Sequence, residues 1–402
     1  MNSEKRLRLC IFAPVMRRHR GYFTPHSGLI AKVLAGLGHE VTVLTAELPE
    51  GGGGVETEEG IEIHYLPKTP PSKTGGVFWP NSAAAFDRLH AERPFDIVFG
   101  RGIAPWGFLR YSLFAADVPL VLHEGTYPRW LHQIESRLGR LAPVLAYPLA
   151  PVFALKNRKT HTCMRRAARV VCNSPQLGAA LGRASWWRPY VTRAIVYGFD
   201  TSGYHPRPPD PNAPPRLVSL GRLAWDKGVL PMIDVLAGLA NRSARLEALG
   251  PGSGKVRQAA LNHAGKRGVA DRYSAPGPVQ HEDVPARLAG AAAFLFPSTH
   301  AEGLPKVVIE AMATGLPVVA YRMPVLDSLI EDGVTGFQVP ARSVRAMIGR
   351  ADQLLADPAL AARIGAAARH RIETHFTPEA INARWRVLLA EVLAESAARR
   401  GA

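Results

Sequence analysis

The stretch Pro297-Ser-Thr-His-Ala-Glu302-Gly303-Leu304-Pro305-Lys306-Val-Val-Ile-Glu310-Ala-Met-Ala-Thr-Gly-Leu-Pro-Val-Val-Ala320 carries the fold in miniature. An apolar run ends at Phe296, a short polar loop follows, and Pro305 stands where a helix begins, ahead of a second apolar run at 318–320. Strand, helix and strand in so few residues read as a βα unit of a parallel sheet. The free N–H groups of the first helical turn form an anion site, and Gly303 lets backbone approach a ligand closely. Glu310 lies about one and a half turns into the helix, among Val307, Val308, Ile309, Ala311 and Met312. Two readings of it stay open. A carboxylate in apolar company costs free energy unless paired or hydrogen-bonded, which marks a functional group. Alternatively, Lys306, Glu310 and Thr314 share helical spacing and form a solvated stripe.

Outward from this unit the same alternation runs through all 402 residues. Apolar runs at 7–14, 41–45, 61–66, 96–99, 118–123 and 170–173 predict a first parallel sheet, with a helix over 29–37 stopped by Gly38. Runs at 216–220, 245–249, 273–275, 292–296, 318–320 and 336–339 predict a second. Between them, residues 205–215 hold six prolines, fit neither periodicity, and read as a stiff connector. Thr377-Pro378-Glu379 opens a closing helix, with Thr as N-cap and Pro at the first position. The four glycines at 51–54 read as a flexible loop. The fold class is α/β, two Rossmann-like doubly wound domains facing across a cleft, with ligands at the carboxyl ends of the strands. The expected division is an N-terminal domain over 1–204, the linker 205–215, a second domain over 216–376, and a helix over 377–402 crossing back to the first.

A hydrophobic content of 47% excludes intrinsic disorder. No apolar run reaches the roughly eighteen residues that propose a membrane span. The short run after the basic N-terminus reads as a strand, not a secretory signal. Cys10, Cys163 and Cys172 are odd in number and fit buried thiols in a reducing cytosol. No His/Cys cluster has metal-binding spacing. Gly250-Pro-Gly-Ser-Gly-Lys255 imitates a phosphate-cradling loop, but Leu249 and Val256 stand where that motif requires Gly and Ser/Thr. A more informative stretch is Ser219-Leu-Gly221-Arg222-Leu-Ala-Trp-Asp-Lys227-Gly228, which follows the first strand of the second domain. Its Arg and Lys suit a diphosphate, one as a bidentate fork and one as a compact charge. They also suit two solvated loop cations.

Taken together, these stretches resemble the family 4 glycosyltransferases of the GT-B, retaining, E-x7-E type. The resemblance rests on G-R-L-x-x-x-K-G at 221–228, Glu302 and Glu310 with the run Glu302-Gly-Leu-Pro305, Gly315-Leu-Pro-Val-Val-Ala320, Asp332-Gly-Val-Thr-Gly336, and Val196-Tyr-Gly-Phe-Asp200 with Tyr204-His-Pro206. It covers the second domain nearly end to end, and the first more loosely through Gly38-His39-Glu40-Val41 and His123. It implies a metal-independent retaining hexosyltransferase with a nucleotide diphosphate sugar as co-substrate and no cofactor. By motif position, Arg222 and Lys227 neutralise the leaving diphosphate, Glu310 binds the ribose hydroxyls, and Glu302 holds donor-sugar hydroxyls. Backbone N–H groups of Gly303, Leu304 and Lys306 assist, Pro305 having none. The implied mechanism is front-face, with the leaving phosphate taking the acceptor's proton. His123, at a strand end, reads on its own as structural; the resemblance sets it against the donor sugar. The family's Gly-Gly pair in the first βα loop is replaced by Arg17-Arg-His-Arg-Gly21-Tyr-Phe-Thr-Pro-His-Ser-Gly28, leaving Gly21 and Gly28 as candidates for an acceptor or phosphate loop.

The formal charge of +16 is unevenly placed. Residues 101–199 hold fourteen basic residues against three acidic ones, whereas 1–100 balance at eleven each. This surplus surrounds 141–155, fifteen apolar residues broken by three prolines and flanked by Arg137, Arg140, Lys156, Arg158 and Lys159. Such a segment either docks on anionic lipid or forms a buried helical pair with a solvated basic rim. With docking preferred, the expected partners are a nucleotide sugar donor, a lipid-linked or glycolipid acceptor and an anionic membrane surface. The expected location is cytoplasmic, peripheral to the inner face of the plasma membrane, in envelope polysaccharide or exopolysaccharide synthesis. A soluble transferase acting on a small molecule is the nearest rival. A nucleic-acid-binding protein is the more distant one, since the basic stretch lacks interleaved aromatics.

Overall fold

Residues Arg8–Phe12 form β1, buried along nearly its whole length as a central parallel strand covered on both faces must be. The computed structural model describes residues 5–15, 25–71, 76–125, 151–152, 155, 157–185, 189–196, 198–300 and 302–401. By internal contacts the chain divides into Met1–Ile195 with Asn382–Ala402, and Val196–Ile381.

In the first unit β1 is joined by β2 (Glu40–Thr45), β3 (Gly54–Glu58), β4 (Ile61–Tyr65), β5 (Ile97–Arg101), β6 (Leu120–Glu124), β7 (Arg169–Cys172) and β8 (Thr192–Ala194). Their order is β3-β4-β2-β1-β5-β6-β7-β8. Every pairing is parallel except β3, which turns back antiparallel on β4. The described helices are α1 (Pro25–Gly36), α2 (Phe78–Glu92), α3 (Trp106–Tyr111), α4 (Arg158–Arg166) and α5 (Pro175–Arg183). All six expected strands are present. The two that the apolar runs miss lie at the sheet's edges, where no continuous apolar face is needed. Four of the five residues of β3 are exposed, and Gly54, read from sequence as loop, opens that strand. The three cysteines are free and buried. Burial pushes the Cys163 and Cys172 thiols up to about 12, which leaves them inert.

The second unit contains β9 (Arg216–Leu220), β10 (Arg245–Leu249), β11 (Tyr273–Gly277), β12 (Ala293–Phe296), β13 (Val318–Tyr321) and β14 (Phe337–Val339). They form an all-parallel sheet in the order β11-β10-β9-β12-β13-β14. Around it lie α6 (Val229–Gly238), α7 (Gly254–Lys266), α8 (Val284–Leu288), α9 (Lys306–Ala313), α10 (Val344–Ala356) and α11 (Pro358–His375). Residues 205–215 belong to this unit by contact. Their start is anchored there, since Pro206 lies against Gly315 and the preceding Tyr204 packs its ring 4.9 Å from that of Phe199.

The closing helix α12 (Pro378–Gly401) starts as its sequence dictates, with Thr377 Oγ1 accepting from the N–H of Ala380 at 3.3 Å. From Asn382 onward it counts with the first unit. Trp385 lies 6.1 Å from Phe99 of β5, and the buried Arg169 of β7 pairs with Glu395 and, at 3.2 Å, with Glu391.

Candidate functional site

Two loops meet because β9 and β12 are neighbours in the second sheet. After β9 the chain passes Gly221 and Arg222 into a short 3-10 turn, Trp225–Lys227, and enters α6 at Gly228. After β12 it runs through Pro297–Pro305 into α9. Thr299 N–H donates to the carbonyl of Asp226 at 2.8 Å, tying loop to loop. Lys227 Nζ then donates to the Glu302 carboxylate, with the two side chains only 22% and 15% exposed. Ser298 Oγ reaches the same carboxylate oxygen at 3.5 Å. Asp226 bridges outward to Arg222, at 3.5 Å, and to His300 Nδ1, at 2.8 Å. Of these groups Arg222, Lys227, His300 and Glu302 line a cavity of about 380 Å³ at the carboxyl end of the strands, together with Leu304 and Lys306.

Glycine makes this approach possible. Gly228 has φ +77°, and a Cβ there would sit 2.2 Å from the carbonyl oxygen of Pro297. Gly228→Ala is therefore expected to destabilise the protein by at least about 2 kcal/mol, from left-handed backbone strain plus overpacking. Urea denaturation checks this; an unchanged midpoint would contradict the close approach. Gly250 serves the same end, since a Cβ on it would lie 2.0 Å from the Gly221 carbonyl. The glycine-rich run after β10 thus packs backbone on backbone, and Ser253 caps α7.

The two readings of Glu310 are now separated. Its side chain is 6% exposed and Thr314 is also buried, so the helical stripe faces the interior except at Lys306. Three groups approach Glu310 Oε1: Tyr204 Oη at 3.5 Å, Lys306 Nζ at 3.6 Å and His281 Nδ1 at 3.9 Å. Burial pushes the carboxyl above its usual range, while Lys306 and Tyr204 pull it back. Helix α9 begins at Lys306, with Pro305 as its N-cap residue, where the sequence places the helix start. Gly303 and Leu304 are half-buried just before it. Arg222 remains largely solvated, with 57% of its side chain exposed.

His123 belongs to the first unit. It is buried at the carboxyl end of β6, in register with Arg101 of β5 and Val171 of β7. The following Gly125 is pressed between it and Asn173, where a Cβ would lie 2.7 Å from Asn173 Nδ2. Gly28 is half-buried in α1, whereas Gly21 lies outside the described residues. So does most of 141–155; of that segment Val152 and Leu155 are exposed. Among the described residues no group of three or more His, Cys, Asp or Glu could hold a metal ion, and no helix is long and apolar enough to cross a membrane.

Known families match both units. Residues 24–198 match the family described as "Glycosyl transferase 4-like domain", and 203–371 match "Glycosyl transferases group 1". The chain belongs to the GT-B glycosyltransferases. Curated relatives of this GT-B chain include alpha-D-kanosaminyltransferase of Streptomyces kanamyceticus, 33% identical over 37% of this chain and 39% of that one. Another is the GDP-mannose-dependent alpha-(1-6)-phosphatidylinositol monomannoside mannosyltransferase of Mycolicibacterium smegmatis, 34% identical over 39% and 42%. The chain thus spans about two fifths of the length of the curated relatives it matches. Among solved structures, sucrose-phosphate synthase from Thermosynechococcus elongatus superposes with TM-score 0.74 at 21% identity, over 97% of this chain and 100% of that one. Anabaena HepE in complex with UDP and glucose gives 0.67 at 18%, over 96% and 100%. These two likenesses bear on fold.

The GT-B motifs read from sequence include Arg222, Lys227, Glu302 and Glu310 but pass over four partners. Asp226 was legible, standing four residues after Arg222 inside the motif. Tyr204 stands in a motif but its pairing was not legible, and His300 and His281 were not, because each reaches its carboxylate only through the tertiary fold.

Proposed function

We propose that this GT-B glycosyltransferase moves a hexose from a nucleotide diphosphate sugar, with retention and without a metal, to a lipid-linked saccharide or glycolipid. The Lys227–Glu302 pair at the mouth of β9 carries this reading. A diphosphate arriving there competes for Lys227 Nζ and releases the Glu302 carboxylate to accept hydrogen bonds from sugar hydroxyls. Arg222, solvated and paired among the described residues with Asp226, is able to turn onto the same phosphates. The bond from the anomeric carbon to the phosphate oxygen breaks as the acceptor oxygen bonds to that carbon from the same face. The acceptor's proton passes to the departing phosphate oxygen, and the cations stabilise the charge that develops there. By motif position His123 is assigned to the donor sugar, and Glu310 to the ribose hydroxyls.

Acceptor handling is assigned to 1–204 and donor binding to 216–376, with 205–215 as the linker and 377–402 as the returning helix. The basic surplus of 101–199 and the exposed Val152 and Leu155 beside α4 favour an acceptor held at an anionic lipid surface on the cytoplasmic side. The name of the Mycolicibacterium smegmatis mannosyltransferase, which includes phosphatidylinositol monomannoside, points the same way.

A thermal-shift screen of UDP, GDP, ADP and dTDP with their sugars tests the donor half. One base class is expected to raise the melting temperature, by the equivalent of about 2.7 kcal/mol at a hundredfold excess over Kd. No shift with any of them would overturn the reading. Flotation with anionic vesicles tests the acceptor half; protein that stays with the soluble fraction favours a small-molecule acceptor instead.

A further inference from the structure

Glu310 faces one buried hydroxyl and two exposed nitrogens. Lys306 is 60% exposed and His281 67%, so water screens both and leaves each free to move. Tyr204 is 6% exposed, and its hydroxyl faces Oε1 in a closed setting. All three approach the same oxygen, and Oε2 has no hydrogen-bond partner among the described residues.

The tyrosine is itself firmly placed. Its ring packs on Phe199, and its carbonyl accepts from Arg369 Nη1. The same guanidinium group donates at 2.6 Å to the carbonyl of Ala313, the last residue of α9, and its Nε pairs with Glu373 at 2.7 Å. One side chain of α11 thereby fixes both the segment carrying Tyr204 and the helix carrying Glu310. A residue placed for packing alone would need no hydroxyl at this point.

We propose that Tyr204 is a positioning residue for Glu310, holding the carboxylate turned so that Oε2 faces the ribose hydroxyls of a nucleotide. This rests on the reading of Glu310 as the ribose ligand. A hydroxyl donating to a carboxylate favours its charged form. Without it Glu310 protonates at higher pH, and nucleotide affinity fails earlier as pH falls. The groups facing the carboxylate are Tyr204, Lys306 and His281, with Arg369 and Glu373 behind them on α11.

The test is calorimetric titration with the nucleoside diphosphate that the donor screen selects, from pH 5 to 8, on wild type, Tyr204→Phe and Glu310→Gln. Tyr204→Phe keeps the ring and its packing; if it does not fold, Tyr204→Met is read in its place. The acid limb of affinity is expected to move up by roughly half to one pH unit in Tyr204→Phe. Glu310→Gln is expected to bind weakly with that limb gone. An unmoved limb in Tyr204→Phe, with Glu310→Gln impaired, would overturn the positioning role alone. Unimpaired binding in Glu310→Gln would overturn the ribose reading and this proposal with it.

Discussion

Lys227→Ala is expected to lower kcat by about a hundred- to a thousandfold, the cost of removing one preorganised charge from a developing anion. Donor affinity should fall by less, because the negative charge on the leaving phosphate is greatest at bond cleavage and only the difference between ground and transition state slows turnover. The pairing with Glu302 sharpens this expectation. Removing Lys227 leaves a carboxylate that is 15% exposed without its cation, in the cavity proposed to receive the diphosphate. Its repulsion adds to the loss, so Lys227→Ala with Glu302→Gln should bind donor better than Lys227→Ala alone. Single-turnover kinetics and donor titration separate the two effects. Full activity in Lys227→Ala would remove the lysine from the mechanism.

Glu310→Gln should weaken binding of the nucleoside diphosphate by about tenfold to a hundredfold, since hydrogen bonds to a charged group carry roughly 1.5–3 kcal/mol. The same substitution should leave folding stability unchanged or raised. Burial lifts the native pKa of Glu310 above its unfolded value, so the native state binds the proton more readily than the unfolded chain does. Ionisation therefore costs stability, which falls as pH rises from the unfolded pKa through the raised native one. That slope should be missing in Glu310→Gln. Nucleotide affinity runs the opposite way and declines as pH falls through the raised pKa, because the ribose needs the ionised acceptor. Melting curves and calorimetry across pH check both signs. A Gln variant that is less stable and binds normally would make Glu310 a structural residue.

Much of the fold was legible because parallel strands buried on both faces must be continuous apolar runs. Leu217 to Val218, Ala293 to Phe296 and Val318 to Tyr321 are nearly wholly buried, and each was visible as such a run. Strand β3 was invisible for the converse reason, an edge strand having only one neighbour and little to bury. The residues of the candidate site stood out in the sequence through their spacing, but their pairings did not. Nothing in the sequence tells Lys227 to choose Glu302, 75 residues away, over the adjacent Asp226. That choice follows from β9 and β12 lying side by side and from Gly228 letting the loops touch. Glu310 could not be decided from periodicity, since a solvated stripe and a buried one share the same spacing. Only the packing of α9 beneath Tyr204 decides it.

The most direct measurement is a crystal structure of the full chain with the nucleoside diphosphate that the donor screen selects. The expected result places the diphosphate against Arg222 and Lys227, with the Lys227–Glu302 pair opened, and the ribose hydroxyls on Glu310. A nucleotide bound elsewhere, or bound in this cavity with Lys227 still paired to Glu302 and Glu310 untouched, would contradict it.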